Sequence, residues 1–276
     1  DATTFSYTTQ LNLNTSFNGD DLLYTRFKYG NAASTWTTKT YGAYLVNTSK
    51  NASAITLDKL WYQFAVGENL KFWVGPKVEN YYMLASAPSI YRPVFKQFAN
   101  GGNTATYNAS TGGGFGAAWV QDVADRSEPR WAVSANYVAY DANNSNPGDG
   151  NGGLFNNSGK GIFLTKVEYG SPKWQLSVAY SYQDDGKNGG QYYATTDGHE
   201  RTGSSTYVGV RGYWRPDSTG VIPSISGGFD IGTVDDDGTS GATESTATWM
   251  IGMNWSDAFI DGNTAGIAFG KRQWAT

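Results

Sequence analysis

The stretch KWQLSVAYSYQ, residues 173–183, decides the fold. Trp174, Leu176, Val178, Tyr180 and Tyr182 are large and apolar or aromatic, and Gln175, Ser177, Ala179, Ser181 and Gln183 stand between them. A strict period of two over that length is a β-strand with one oily and one wet face. In a soluble sandwich the oily face meets a second sheet; in a membrane barrel it meets lipid.

Composition narrows the choice. The chain has 276 residues, of which 15% are aromatic and 16% charged, with 35 Gly, 19 Tyr and 10 Trp. Soluble domains carry about a quarter charged residues. Mean hydropathy is −0.47, and no apolar run reaches the eighteen or so residues that a spanning helix needs. Low charge and many aromatics at mild overall polarity suit a membrane barrel, whose apolar residues are diluted by a wet lumen. Without Cys, neither disulfides nor thiolate sites are available. A net charge of −4 and a pI near 5.0 speak against nucleic acid as a partner.

Alternation recurs in about a dozen segments: 3–17, 22–30, 57–66, 69–75, 113–121, 130–140, 161–170, 173–183, 205–215, 221–231, 246–256 and 264–273. The connections between them sort into two kinds. NGDD (18–21), VGEN (66–69), DVADRSE (122–128), GSP (170–172), PDSTG (216–220) and SDAFIDGN (256–263) are short. The stretches 31–54, 76–112, 141–160, 184–204 and 232–245 are longer and rich in Asn, Gly, Ser and Asp. Short and long alternate, as they do in outer-membrane barrels with short periplasmic turns and long external loops. The expected fold is an all-β, transmembrane antiparallel barrel, with the oily face of 173–183 on lipid. Because the first connection is short, the first strand should run toward the periplasm. Strands are therefore expected both before residue 1 and after residue 276.

The stretches LNLNTSFNGDDLLYTRFKYGN (11–31), LDKLWYQFAVGENLKFWVGPKV (57–78), GGGFGAAWV (112–120) and NWSDAFIDGNTAGIAFGKRQ (254–273) carry a resemblance. There the chain resembles the cyanobacterial outer-membrane porins with an S-layer-homology domain, a branch related to carbohydrate-selective porins. The resemblance implies a sixteen-stranded, homotrimeric barrel of which about twelve strands lie in 1–276. It also implies an N-terminal periplasmic, peptidoglycan-binding region that this sequence lacks, as it lacks the opening and closing strands. Members are described as channels for small solutes and inorganic ions, some as iron-uptake porins. The implied partners are outer-membrane lipid, peptidoglycan and permeating ions or sugars, in a cyanobacterium.

If the oily faces point outward, the lumen receives Arg26, Lys28, Lys59, Lys71, Arg130, Lys166, Glu168 and Arg211. Charges are costly in lipid and tolerated in a wet lumen, and rings of Lys and Arg favour anions. The longest connection, 76–112, holds Met83, Leu84, Ile90, Val94, Phe95 and Phe98. A loop bathed only in water has little reason to carry them, so either it folds into the lumen or it forms a cap or trimer contact. In the first case Glu79, Arg92 and Lys96 are constriction candidates. Trp61 and Trp73 could line a sugar-stacking track or simply fill space beside the wall. Catalysis is not expected: the single His199 sits in a loop with no partner motif. The Asp/Asn-rich runs lack the ligand spacing of calcium loops, so no metal or cofactor is expected. The functions left are a passive water-filled porin, a carbohydrate-selective channel, or a structural barrel joining membrane to cell wall.

Overall fold

The computed structural model describes residues 3–32, 54–94, 98–102, 106–108, 111–146, 152–156, 159–184, 204–218, 220–235 and 244–275. Twelve strands form one antiparallel sheet in sequence order: β1 (Thr8–Thr15), β2 (Leu22–Gly30), β3 (Thr56–Val66), β4 (Leu70–Glu79), β5 (Thr111–Val120), β6 (Arg130–Ala139), β7 (Gly161–Gly170), β8 (Trp174–Gln183), β9 (Ser205–Trp214), β10 (Ser224–Val234), β11 (Ser245–Ser256) and β12 (Thr264–Ala275). Each expected strand is present. The first is shorter than its alternation suggested, and the fourth runs on to Glu79 across a register shift between Gly75 and Val78. β1 and β12 each pair with one neighbour and form the two edges of the sheet.

The faces are inverted relative to a soluble protein. On β8, Val178 is 47% exposed and Ser177 only 2%. The same holds for Val133, Phe163, Val167, Val208, Val210, Phe229 and Ile251, which are exposed, against Ser134, Lys166, Arg211 and Thr248, which are buried. A water-soluble sheet would bury the first group, since each such side chain favours burial by about 1.5–3 kcal/mol. The outer face therefore carries a continuous apolar band and the inner face the polar residues.

The sheet curls around its inner face. The segment between β4 and β5 reaches both ends of the strand order. Tyr82 accepts a hydrogen bond from Arg26 of β2 (3.2 Å), while the Phe98 ring stands 2.9 Å from where a Cβ on Gly270 of β12 would lie. Only a strongly curved sheet lets one short segment touch both. Inside it are two apolar clusters, Trp61–Trp73–Val78–Met83–Ala118–Val138 and Leu84–Tyr107–Leu164–Ala179.

On the outer face, rings gather at the end that bears the short turns. Tyr62 stacks on Phe64 (5.8 Å) and Phe64 on Phe72 (5.6 Å), and Trp131, Tyr169 and Trp174 follow at 4.8 and 5.7 Å. Trp214 and Trp255 lie in the same zone, near the ends of β9 and β11. Trp249 instead sits mid-strand in β11, opposite Phe229.

Candidate functional site

The described residues between Asn80 and Asn108 lie against the inner face of the sheet and are fastened to it at several points. Asn136 of β6 donates to the Asn80 carbonyl (3.0 Å), and Ser134 accepts from the Ala85 amide (2.8 Å). Ser89 and Ser226 share a hydrogen bond of 2.7 Å, Thr106 donates to Asp230, and Asn108 donates to Gln183 (2.8 Å). Met83 is fully buried, with Leu84 and Phe98 nearly so. That is the packing expected from the apolar content of 76–112, whereas Val94 is exposed. Burial pushes the Tyr82 phenol upward, reinforced by the charge of Glu79, so it stays neutral. Phe95 and Lys96 lie outside the described residues, as does His199.

Several ionisable residues of the wall are matched by opposite charges. Arg26 and Lys59 stand directly opposite on β2 and β3, a repulsive arrangement. A bulge resolves it: the register slips after Arg26, which leaves Asp58 unpaired in the ladder and turns it to the same side as Lys59. Asp58 then lies 2.5 Å from Arg26 and 3.8 Å from Lys59. Lys59 also meets Glu79 at 3.4 Å and donates to Thr111 at 2.6 Å. Further round, Lys166 pairs with Glu168 two residues along β7 and donates to the carbonyl of Ser86 (3.0 Å) and to its hydroxyl (2.8 Å). Arg211 holds both carboxylate oxygens of Asp230 (2.9 and 2.8 Å) and donates from Nε to the Asn100 carbonyl (2.8 Å). Its guanidinium lies 5.2 Å from the Tyr107 ring centre.

Four of the seven expected lining cations, Arg26, Lys59, Lys166 and Arg211, are therefore matched by carboxylates, and three of them, Arg26, Lys166 and Arg211, also hold the inward segment. A wall charge counted from Lys and Arg alone is too positive, since Asp58 and Asp230 join Glu79 and Glu168 on the same side. Asp230 was visible in the alternation, because it shares a face with Ser226 and Gly228 of β10. Asp58 was not, because only the bulge turns it inward. Of the others, Lys28 lies toward the long connections, opposite Gln10 and Thr56. Lys71 and Arg130 lie at the short-turn end, and Arg92 is exposed on the inward segment. Trp61 and Trp73 are 7% and 4% exposed, enclosed by Val78, Met83 and Ala118. Their faces fill space and offer no open stacking surface.

At the short-turn end the inner face opens into a cavity of about 370 Å³ beside Trp73, Leu84 and Arg130. A larger hollow of about 1070 Å³ lies at the other end of β3–β5, over the glycines 112–114.

No protein-family profile matches the chain. It is 25% identical over 302 residues to an uncharacterized protein of Synechocystis sp. (strain ATCC 27184 / PCC 6803 / Kazusa). That match covers 97% of this chain and 52% of the other, so the chain spans about half the length of this curated relative. Among solved structures it is similar to the outer membrane channel DcaP of Acinetobacter baumannii, with a TM-score of 0.43 and 11% identity, covering 97% of this chain and 81% of that one.

Proposed function

We propose that the chain is the wall of an outer-membrane channel, a passive, water-filled pore for small hydrophilic solutes and inorganic ions that is narrowed by residues 79–108. One observation carries this reading: the apolar side chains of the strands face outward and the polar ones face the inner side of the curled sheet. A bilayer is the solvent that rewards the first, and water the second. Twelve strands also exceed the roughly eight whose side chains fill a barrel. The chemistry needed is small. Permeation would be governed by pore width and wall charge, with no cofactor and no covalent step. With the mid-lumen charges paired, weak selectivity is expected there. In the same reading the parent chain is a sixteen-stranded homotrimer tied to peptidoglycan; its intact mass, well above the 29.9 kDa of this sequence, would test that.

The experiment is reconstitution in planar bilayers. Stepwise ohmic conductance without a gating ligand is expected. A protein that inserts into the membrane and never conducts would refute the channel. It would leave the second reading, a structural barrel, which the dense fastening of the inward segment favours.

A further inference from the structure

The paired cations of the mid-lumen contrast with three that have no carboxylate within ion-pair distance among the described residues. Lys71 of β4, Arg130 of β6 and Arg126 of the turn between β5 and β6 line the short-turn cavity together. We propose that this mouth is a binding site for a small oxyanion, of which inorganic phosphate is the simplest. The inference deepens the channel reading and rests on it, since it names the solute class that such a pore would gather at one entrance.

The volume, about 370 Å³, admits a small anion with part of its hydration shell. One side of the cavity is apolar, formed by Trp73, Leu84 and Ala118, all nearly buried. Such a wall lowers the local dielectric and strengthens any charge placed beside it. The cations approach from two strands and a turn, and between β4 and β6 the intervening β5 presents only the small Ala118 and Val120 inward. Lys71 is held near the Trp73 ring, 6.0 Å from its centre. Two guanidinium forks suit the several oxygens of an oxyanion better than a spherical halide. Glu68 and Asp122 line the same mouth from the turns. Three cations against two carboxylates leave one positive charge, which fits loose, rapidly exchanging capture. A permeation site needs that property, because a solute held tightly does not leave.

The test titrates the full chain in detergent with inorganic phosphate at low ionic strength, by calorimetry. It also adds phosphate to one side of a bilayer carrying chloride current. Weak saturable binding is expected, with a fall in chloride conductance when phosphate faces the short-turn mouth and not the other. The triple variant K71Q/R126Q/R130Q should bind at least ~10-fold more weakly. K77Q, which removes an exposed lysine outside this cavity, should bind like the parent. Retained binding by the triple variant, or equal loss in K77Q, overturns the site. A conducting protein that ignores phosphate overturns this inference alone. Phosphate binding without any conductance keeps the site and overturns the channel.

Discussion

Replacing Arg211 with Met should undock the inward segment while leaving the sheet intact. Arg211 is 2% exposed and its partner Asp230 is 1%. Removing the guanidinium strands a carboxylate with no counter-charge, which costs about 3–5 kcal/mol when a buried pair is broken. Loss of the Tyr107 ring contact adds ~1 kcal/mol. The strain can be relieved locally, because Asn100 and Thr106, the segment's other contacts to this pair, can move away and admit water to Asp230. At about 1.4 kcal/mol per tenfold, a transfer of about 4 kcal/mol raises the undocked population roughly a thousandfold. The chain has no cysteine, so a single Met83→Cys reporter, at a position fully buried in the docked state, can be followed with a membrane-impermeant maleimide. R211M should speed its labelling by up to three orders of magnitude and raise single-channel conductance. The double variant R211M/D230L, which removes both charges, should return both toward the parent, since a well-packed apolar replacement of a buried pair is often neutral. Unchanged labelling in R211M, or a double variant as open as the single, would refute the idea that this pair fastens the segment.

Three other outcomes follow from the geometry. V178R places a charge mid-strand on the outer face and should impair membrane assembly by about 2–4 kcal/mol; A65R, on the inner face at the short-turn cavity, should assemble normally, and equal yields of folded protein would contradict the assignment of faces. In G228A the new methyl would lie 1.8 Å from the Gly101 carbonyl oxygen, so residues 98–102 should shift and conductance rise with no change in strand content by circular dichroism. Hydrogen bonds from Ser16 and Tyr62, then from the amides of Asn18 and Phe17, hold the Asp21 carboxyl well below its usual range. A depressed carboxyl contributes stability above its unfolded pKa of about 4 and loses it as pH falls further. D21N should therefore melt below the parent at pH 6, and the gap should close toward pH 2; a gap independent of pH would count against it.

Much of this architecture is legible in the chain. Period-two alternation marks each strand because the pleat sends neighbours to opposite faces, and low charge with many aromatics says which face is dry. The apolar centre of 76–112 announces a loop that is not merely solvated. What alternation does not contain is register. Asp58 turns inward only through a bulge, and Arg211 finds Asp230 by a diagonal between β9 and β10 that depends on Arg211 standing opposite Gly228. Counting cations on each strand thus leaves out the carboxylates that register brings to face them. Trp249 shows the same blindness along the other axis: a ring on the outer face is read easily, its height along the strand is not.

The meander also has a temporal consequence. Every strand pairs with its neighbour in sequence, so the wall can grow hairpin by hairpin, and each step closes only one connection. The inward segment obeys a different clock. It is made early, between β4 and β5, yet Ser89 meets Ser226 across 137 positions and Thr106 meets Asp230 across 124. Those contacts have no partner until β10 is in place. The wall must therefore be largely built before its interior can be furnished. During folding a curled sheet with an empty inner face precedes the filled one, and the segment between β4 and β5 is the last part to find its position.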